Sequence, residues 1–311
     1  MDLRSAYKLY TQWQQDGTLG RKSRFTIQRW DTAFYLLLRW FPTLKDTSEL
    51  TEALLRQFFQ RGENIGNKGI KWEPSTTKTH RSSLKGFIDW CIKQGYIIVN
   101  ELNPHPLANI PIPQELERLP EYYTEEEHQK IIYKSGMIAQ SEFANLRNYA
   151  MVATLLMTGV RRGELLGMRV MDVDFEDNKL LVRAETAKNR RARPIPLPYQ
   201  LQDIYLRYLR ARNRRNITTP AFWVSCNGDR AFSADGFRHF VNSLSDALGF
   251  RFKPKKCRST YAVRMYQGSK NILAVQRVLG HKKITTTMKY ATAIPDDIRD
   301  AVLRNPINNE Y

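Results

Sequence analysis

Apolar positions recur at helical spacing through the first hundred residues. A first segment, Leu3 to Trp13, ends at Asp16-Gly17. In the next, Ile27, Trp30, Phe34, Leu37, Leu38 and Phe41 share one face, and Pro42 stops the helix. Thr51 is placed as the N-cap of a third, in which Leu54, Leu55, Phe58 and Phe59 form the stripe. A glycine-rich loop from Gly62 to Gly69 leads to a long helix beginning near Ser75. There Leu84, Phe87, Ile88, Cys91 and Ile92 point inward, and Gly95 stands where a C-terminal cap belongs. The pattern predicts a bundle of four short helices over residues 1–102.

The text then changes. Residues 103–120, NPHPLANIPIPQELERLP, carry five prolines and no sustained period, which predicts an extended linker and a domain boundary. A second domain, 121–311, opens at Thr124, an N-cap followed by Glu125, Glu126 and Glu127 in the positive first turn of a helix. A strongly apolar helix, Asn145 to Met157, delivers the chain to Thr158-Gly159. Alternation then predicts short strands at Val173–Phe175, Leu180–Ala184 and Arg193–Leu197, with Lys188 to Arg191 in a turn. The remainder reads as helical to about Thr292, with a last helix from Pro295 to Leu303. The expected fold class is mainly α with a small antiparallel β-sheet.

Charge changes the picture from fold to partner. Forty-nine Lys and Arg against 31 Asp and Glu give a formal charge of +18 over 311 residues. The cations are interleaved with amphipathic segments instead of forming a tail, which favours double-stranded DNA over a membrane surface. Arg21, Lys22 and Arg24 precede the second helix. Lys78, His80, Arg81 and Lys85 are assigned to the outer face of the fourth, and Arg190 and Arg191 to the strand turn. These are the expected DNA-binding positions. No apolar run reaches membrane-spanning length, and Cys91, Cys226 and Cys257 lack paired spacing, so a cytoplasmic, DNA-associated protein with reduced thiols is expected. Asp172, Asp174, Glu176 and Asp177 could suggest a magnesium site. Their alternation with Val173 and Phe175 favours a half-buried strand entering a turn, so no metal and no cofactor are expected.

Two boxes carry the candidate chemistry. In TGVRRGELLGMR, Arg161 stands at a helix entrance, where a guanidinium adds a planar fork to an end that already favours anions, and Glu164 can orient it. In KPKKCRSTYAVRMYQGSKNILAVQRVLGHKKITTTMKY, Lys255 and Arg258 are three apart on one helical face. His281 follows Leu279-Gly280, and Tyr290 lies nine residues on. On one unbroken helix His281 and Tyr290 would oppose each other. Gly280 and the Thr285-Thr286-Thr287 cluster predict a break that lets them converge. Lys188 could protonate a departing alkoxide. Each residue also has a plainer reading: Arg161 as a surface ion pair, Lys188 as a hairpin tip, Tyr290 as a packing residue.

Taken together the boxes resemble those of the tyrosine recombinases, or phage-type integrases, including the Xer-like enzymes. TGVRRGELL resembles the first arginine box, AKNRRARPIPL the strand-turn-strand segment with its lysine at Lys188, KKCR the His-x-x-Arg box, and VLGHKKITTTMKYA the final box. The resemblance implies Tyr290 as nucleophile, with Arg161, Lys188, Lys255, Arg258 and His281 as catalytic partners and Glu164 in support. It implies a helical, SAM-like core-binding domain, a catalytic domain ending in an exchange helix, and a site-specific recombinase working through a 3′-phosphotyrosyl bond. It further implies a homotetramer on two DNA sites and leaves room for an accessory DNA-bending protein. A type IB-like topoisomerase and a decayed, architectural DNA binder remain open beside it. One departure stands out: Lys255 occupies the family's histidine position. A charged lysine can donate to a phosphate oxygen but cannot accept the tyrosine's proton, so an electrostatic clamp is expected there.

Overall fold

The stripes of the first hundred residues become four helices among the described residues: α1 (Leu3–Asp16), α2 (Arg24–Trp40), α3 (Glu52–Asn64) and α4 (Pro74–Lys93). Asp2, Ser23 and Thr51 cap the first three with their side chains, and Pro74 starts the fourth, where a missing N–H costs nothing. The computed structural model describes residues 1–17, 22–67, 69–114 and 119–292. It divides into two units, Met1–Glu117 and Arg118–Tyr311. The core of the first is built largely of rings. Tyr7 stacks on Phe34 at 3.7 Å, and Tyr10, Trp30, Phe58 and Phe87 fill the space around them.

Two expectations for this unit are corrected. Gly62 lies in the last turn of α3 and not in a loop; a Cβ there would meet the Trp72 ring at 2.1 Å, so the glycine lets the indole close over the helix. His80 faces inward. The buried stripe of α4 runs through Thr77, His80, Ser83, Leu84 and Phe87, and the His80 ring lies 4.3 Å from that of Trp72. Arg81 donates to the carbonyls of Leu107 and Ile110, two residues that pack into this core, so the proline-rich segment folds back on the helices at its start.

In the second unit the helices α5 (Glu125–Ser135), α6 (Glu142–Thr158) and α7 (Arg162–Leu166) lead to strands β1 (Val173–Asp174), β2 (Lys179–Val182) and β3 (Arg193–Pro196). The strands form one antiparallel sheet in the order β1-β2-β3, with Leu180 paired to Ile195. Helices α8 (Tyr199–Asn213), α9 (Ala234–Leu248), α10 (Pro254–Ser269), α11 (Ile272–Leu279) and α12 (Thr285–Ala291) follow. Helix α6 is buried on nearly all sides and packs against α5, α8 and α10, which makes it the axis of the unit. The expectation that the remainder after β3 is helical fails at residues 214–233. That stretch is irregular, with a bridge between Val224 and Ala231. It buries Phe222 and Trp223, whose indole N–H donates to the Leu165 carbonyl at 2.9 Å. Pro220 and the Asn227-Gly228 turn interrupt the helical period. The helix expected at Pro295–Leu303 lies outside the described residues.

Burial holds the His80 imidazole below its ordinary value of 6.5, favouring the neutral ring. The unfolded chain therefore binds the proton more readily. The stabilisation is complete above about pH 6.5 and fades as the pH falls toward the folded-state value. Thermal unfolding followed from pH 7.5 to 5 should lose melting temperature more steeply in the wild type than in His80→Leu. Identical acid slopes would contradict this.

Candidate active site

Helix α6 ends at Gly159, in the left-handed region at φ 63°; a Cβ there would meet the Tyr261 ring at 2.5 Å. This turn sets Arg161 as the residue that caps α7. Its backbone N–H donates to Glu164 Oε2 at 2.9 Å and its Nη1 to Oε1 at 2.8 Å. Glu164 is 3 % exposed, and a buried carboxylate needs more than one partner. The second is Arg193, the first residue of β3. Its Nη2 and Nη1 reach the two Glu164 oxygens at 2.8 and 3.2 Å, and its Nε donates to the Val278 carbonyl at 2.7 Å. Burial would raise the Glu164 pKa, yet the bonds from Arg193 and then Arg161 hold it below the usual carboxylate range.

Arg258, on α10, is buried among helix ends. Its Nη1 donates to the Gly159 carbonyl at 2.7 Å, and its Nη2 to the Leu279 carbonyl at 2.5 Å, so one cation serves the negative C-termini of α6 and α11. Burial, and then Arg161 nearby, lower its pKa to about 9, which leaves it charged at neutral pH. The same Nη2 lies 3.1 Å from His281 Nε2, and His281 Nδ1 lies 2.9 Å from the buried Thr287 hydroxyl. A guanidinium only donates, so Nε2 accepts, and the ring proton sits on Nδ1, donated to Thr287 Oγ1. Burial, Arg258 and Arg161 lower the His281 pKa to about 4.

The break between α11 and α12 lies at residues 280–284, and with it His281 and Tyr290 meet: their rings are 6.3 Å apart and 17° from parallel. Tyr290 is 5 % exposed, packed with Ala262, Val263, Val275 and Leu279. Lys188 is exposed between β2 and β3, on the wall of a cleft that Arg161, His281, Asn189 and Arg190 also line. Lys255 is exposed too, but lines a neighbouring cleft with Lys253, Lys256, Ser259 and Lys289. Sequence reasoning passed over two residues. Lys289 places its Nζ 5.5 Å from the Tyr290 ring centre and was signalled only by adjacency. Arg193 enters the sequence pattern only as the first residue of a strand, and nothing in the sequence points to Glu164 as its partner.

The expected DNA contacts divide. Lys22, Arg24 and Lys78 are exposed in the first unit; Lys85 is exposed but paired with Asp89, and Arg81 is occupied with backbone carbonyls. Arg21 lies outside the described residues. Arg190 and Arg191 are exposed at the strand turn, Arg190 with φ 53°. Among the acids, Asp172 pairs with Arg183, and Asp174 accepts the N–H groups of Glu176 and Asp177 and pairs with Lys179. No group of three or more His, Cys, Asp or Glu among the described residues is placed to hold a metal ion. The arrangement is suited to one phosphate: Arg161, Arg258 and His281 converge from three segments, with a phenol packed against the imidazole.

Comparison with known proteins gives a consistent answer. The model of the phage integrase family matches residues 121–295. Tyrosine recombinase XerC of Vibrio parahaemolyticus is 26% identical over 249 residues, covering 79% of this chain and 75% of that protein. Its counterpart in Corynebacterium efficiens is 27% identical over 249 residues, covering 80% and 75%. Among solved structures, the XerH site-specific recombinase bound to a palindromic difH substrate in a post-cleavage complex aligns with a TM-score of 0.71 at 19% identity, covering 89% of this chain and 78% of that one. A lambda integrase dimer bound to a COC′ core site aligns at 0.69 and 19% identity, covering 95% and 97%.

The hydrogen bonds at His281 fix its protonation. Nitrogen-15 NMR of the DNA-free protein should show a neutral ring protonated on Nδ1, with no titration between pH 8 and about pH 5. A proton on Nε2, or a midpoint near the ordinary value of 6.5, would contradict the geometry.

Proposed function

The chain belongs to the phage integrase family, and from that premise we propose that it is a site-specific DNA recombinase in which Tyr290 cleaves and rejoins DNA strands. The observation that carries the reading is the meeting of Arg161, Arg258 and His281 beside Tyr290. The phenolic oxygen attacks the scissile phosphorus and loses its proton to water. The P–O5′ bond breaks, leaving a 3′-phosphotyrosyl bond, and Lys188 protonates the departing 5′ oxygen and is recharged from water. The 5′-hydroxyl of a partner strand then reverses the chemistry, so the phosphodiester energy is kept.

The guanidinium groups stabilise charge on the pentacoordinate phosphorus. Among the described residues, Arg258 engages three of its five N–H groups with Gly159, Leu279 and His281, so two remain for phosphate oxygens while the bonds to the two carbonyls persist. Tyr290 must leave the face of His281 to align with the phosphorus. That movement frees the imidazole edge. As Arg258 releases Nε2 and turns toward the anion, Nε2 takes a proton from water, and Nδ1 gives its own to water and accepts from the Thr287 hydroxyl. Nε2–H then donates to a phosphate oxygen. Lys255, at the rim with Lys289, serves as an electrostatic clamp on the backbone that approaches. The formal charge of +18 supports binding of double-stranded DNA that weakens steeply with salt. Exchange between two sites by a homotetramer is part of this reading, with an accessory DNA-bending protein as an optional addition.

The Tyr290→Phe variant can select its own site from a random duplex library, since it should bind without cutting. On a nicked form of that duplex, the wild type should form a covalent adduct and Tyr290→Phe none, with binding equal. Arg258→Lys should slow adduct formation by roughly a hundred- to a thousandfold. An adduct in Tyr290→Phe would overturn the assignment.

A further inference from the structure

Among the described residues, Arg193 has its side-chain hydrogen bonds to Glu164 and Val278 and none to Lys188, Lys255 or Tyr290, yet it joins the segments that carry the candidate chemistry. It is 8 % exposed, and its fork grips both oxygens of Glu164, the carboxylate that also holds the backbone and side chain of Arg161. Its third donor, Nε, bonds the Val278 carbonyl, one residue before Leu279 and three before His281. The turn there is shaped around it: a Cβ on Gly280 would stand 3.1 Å from Arg193 Cδ and Nε, in a left-handed conformation that already favours glycine. Five residues upstream on the same stretch is Lys188.

We infer that Arg193 is a positioning residue, which sets Arg161 through Glu164 and His281 through the Val278–Gly280 turn, and so fixes the distance between two groups that bind the scissile phosphate. The inference rests on the recombinase reading. A generic buried ion pair would need only a charge opposite Glu164. This site uses the planar fork of the guanidinium as well, because two bonds to the two oxygens of a carboxylate and a third, from a separate nitrogen, to a carbonyl are beyond a single ammonium. Lysine at this position can keep a charge beside Glu164 but must release Val278. The His281 turn is then no longer tied to the arginine box. Misplacement of one phosphate-binding group by about an ångström costs roughly a hundredfold in rate.

The test is single-turnover adduct formation on the nicked duplex selected above, with Arg193→Lys, Glu164→Gln and the double variant. Arg183→Lys serves as the comparison, since Arg183 pairs with buried Asp172 and the Gly167 carbonyl without reaching the site. Arg193→Lys should lose about 10- to 100-fold in cleavage rate, with duplex affinity and melting temperature close to wild type and the His281 Nδ1–H resonance shifted. In the Glu164→Gln background the same change should add little, because the two residues act as a unit. Arg183→Lys should cleave at the wild-type rate. A wild-type cleavage rate in Arg193→Lys, losses that multiply with Glu164→Gln, or an equal loss in Arg183→Lys would each overturn the positioning role. Absence of an adduct from the wild type itself would overturn the recombinase reading, and this inference with it.

Discussion

A single carboxylate taken out of water organises the second unit. Glu164 is buried, and an unpaired charge at that depth would cost several kcal/mol, so the fold has to supply cations from wherever the chain can bring them. Arg161 comes from the turn after α6 and Arg193 from the start of β3, 32 residues apart by number. Satisfying Glu164 therefore fixes the sheet against the arginine box. The glycine turns finish the arrangement. Gly159 and Gly280, both left-handed, leave the carbonyls of Gly159 and Leu279 within reach of Arg258, which draws α6, α10 and α11 to one point.

The result is a site with more positive charge than it can neutralise by itself. Arg161, Arg258, Arg193 and Lys289 crowd one imidazole, and burial with that crowd depresses its pKa. Lys289 is lowered in turn by burial, Lys255 and Arg258. Such a gathering is unfavourable until an anion arrives, and an anion that arrives finds donors already oriented. Water, by contrast, would have to reorganise as charge develops. Preorganisation and electrostatic stress are here the same feature. The hydrogen bonds to helix-end carbonyls and to Glu164 are what hold the cations together in its absence.

Much of this could be read from the residues alone, and the part that could not has a common cause. Box order and spacing named Arg161, Arg258, His281 and Tyr290 as residues that would meet, and the glycine and threonine signals placed the break between α11 and α12. The strand boundaries came within two residues, because alternation over KLLV and RPIP is a local signal. Direction was harder. The three-residue spacing of Lys255 and Arg258 puts both on one helical face. Their offset on the helix is enough to turn Arg258 into the helix ends and leave Lys255 on the rim of another cleft. His80 looked like part of a basic outer face until the indole of Trp72 gave it a partner. Residues 214–233 carry their core in an irregular stretch whose burial depends on Leu165 and Met168 far upstream. In each case the deciding contact is long-range, and periodicity does not report it.

The most direct measurement is a crystal structure on a selected duplex with vanadate in place of the scissile phosphate, since its trigonal bipyramid mimics the pentacoordinate phosphorus. The expected arrangement has an apical Tyr290 oxygen, with Arg161, Arg258 and His281 Nε2–H on the equatorial oxygens and Glu164 still held by Arg161 and Arg193. Vanadate bound without Arg161 and Arg258 on the same oxygens, or with Tyr290 still packed on His281, would contradict it.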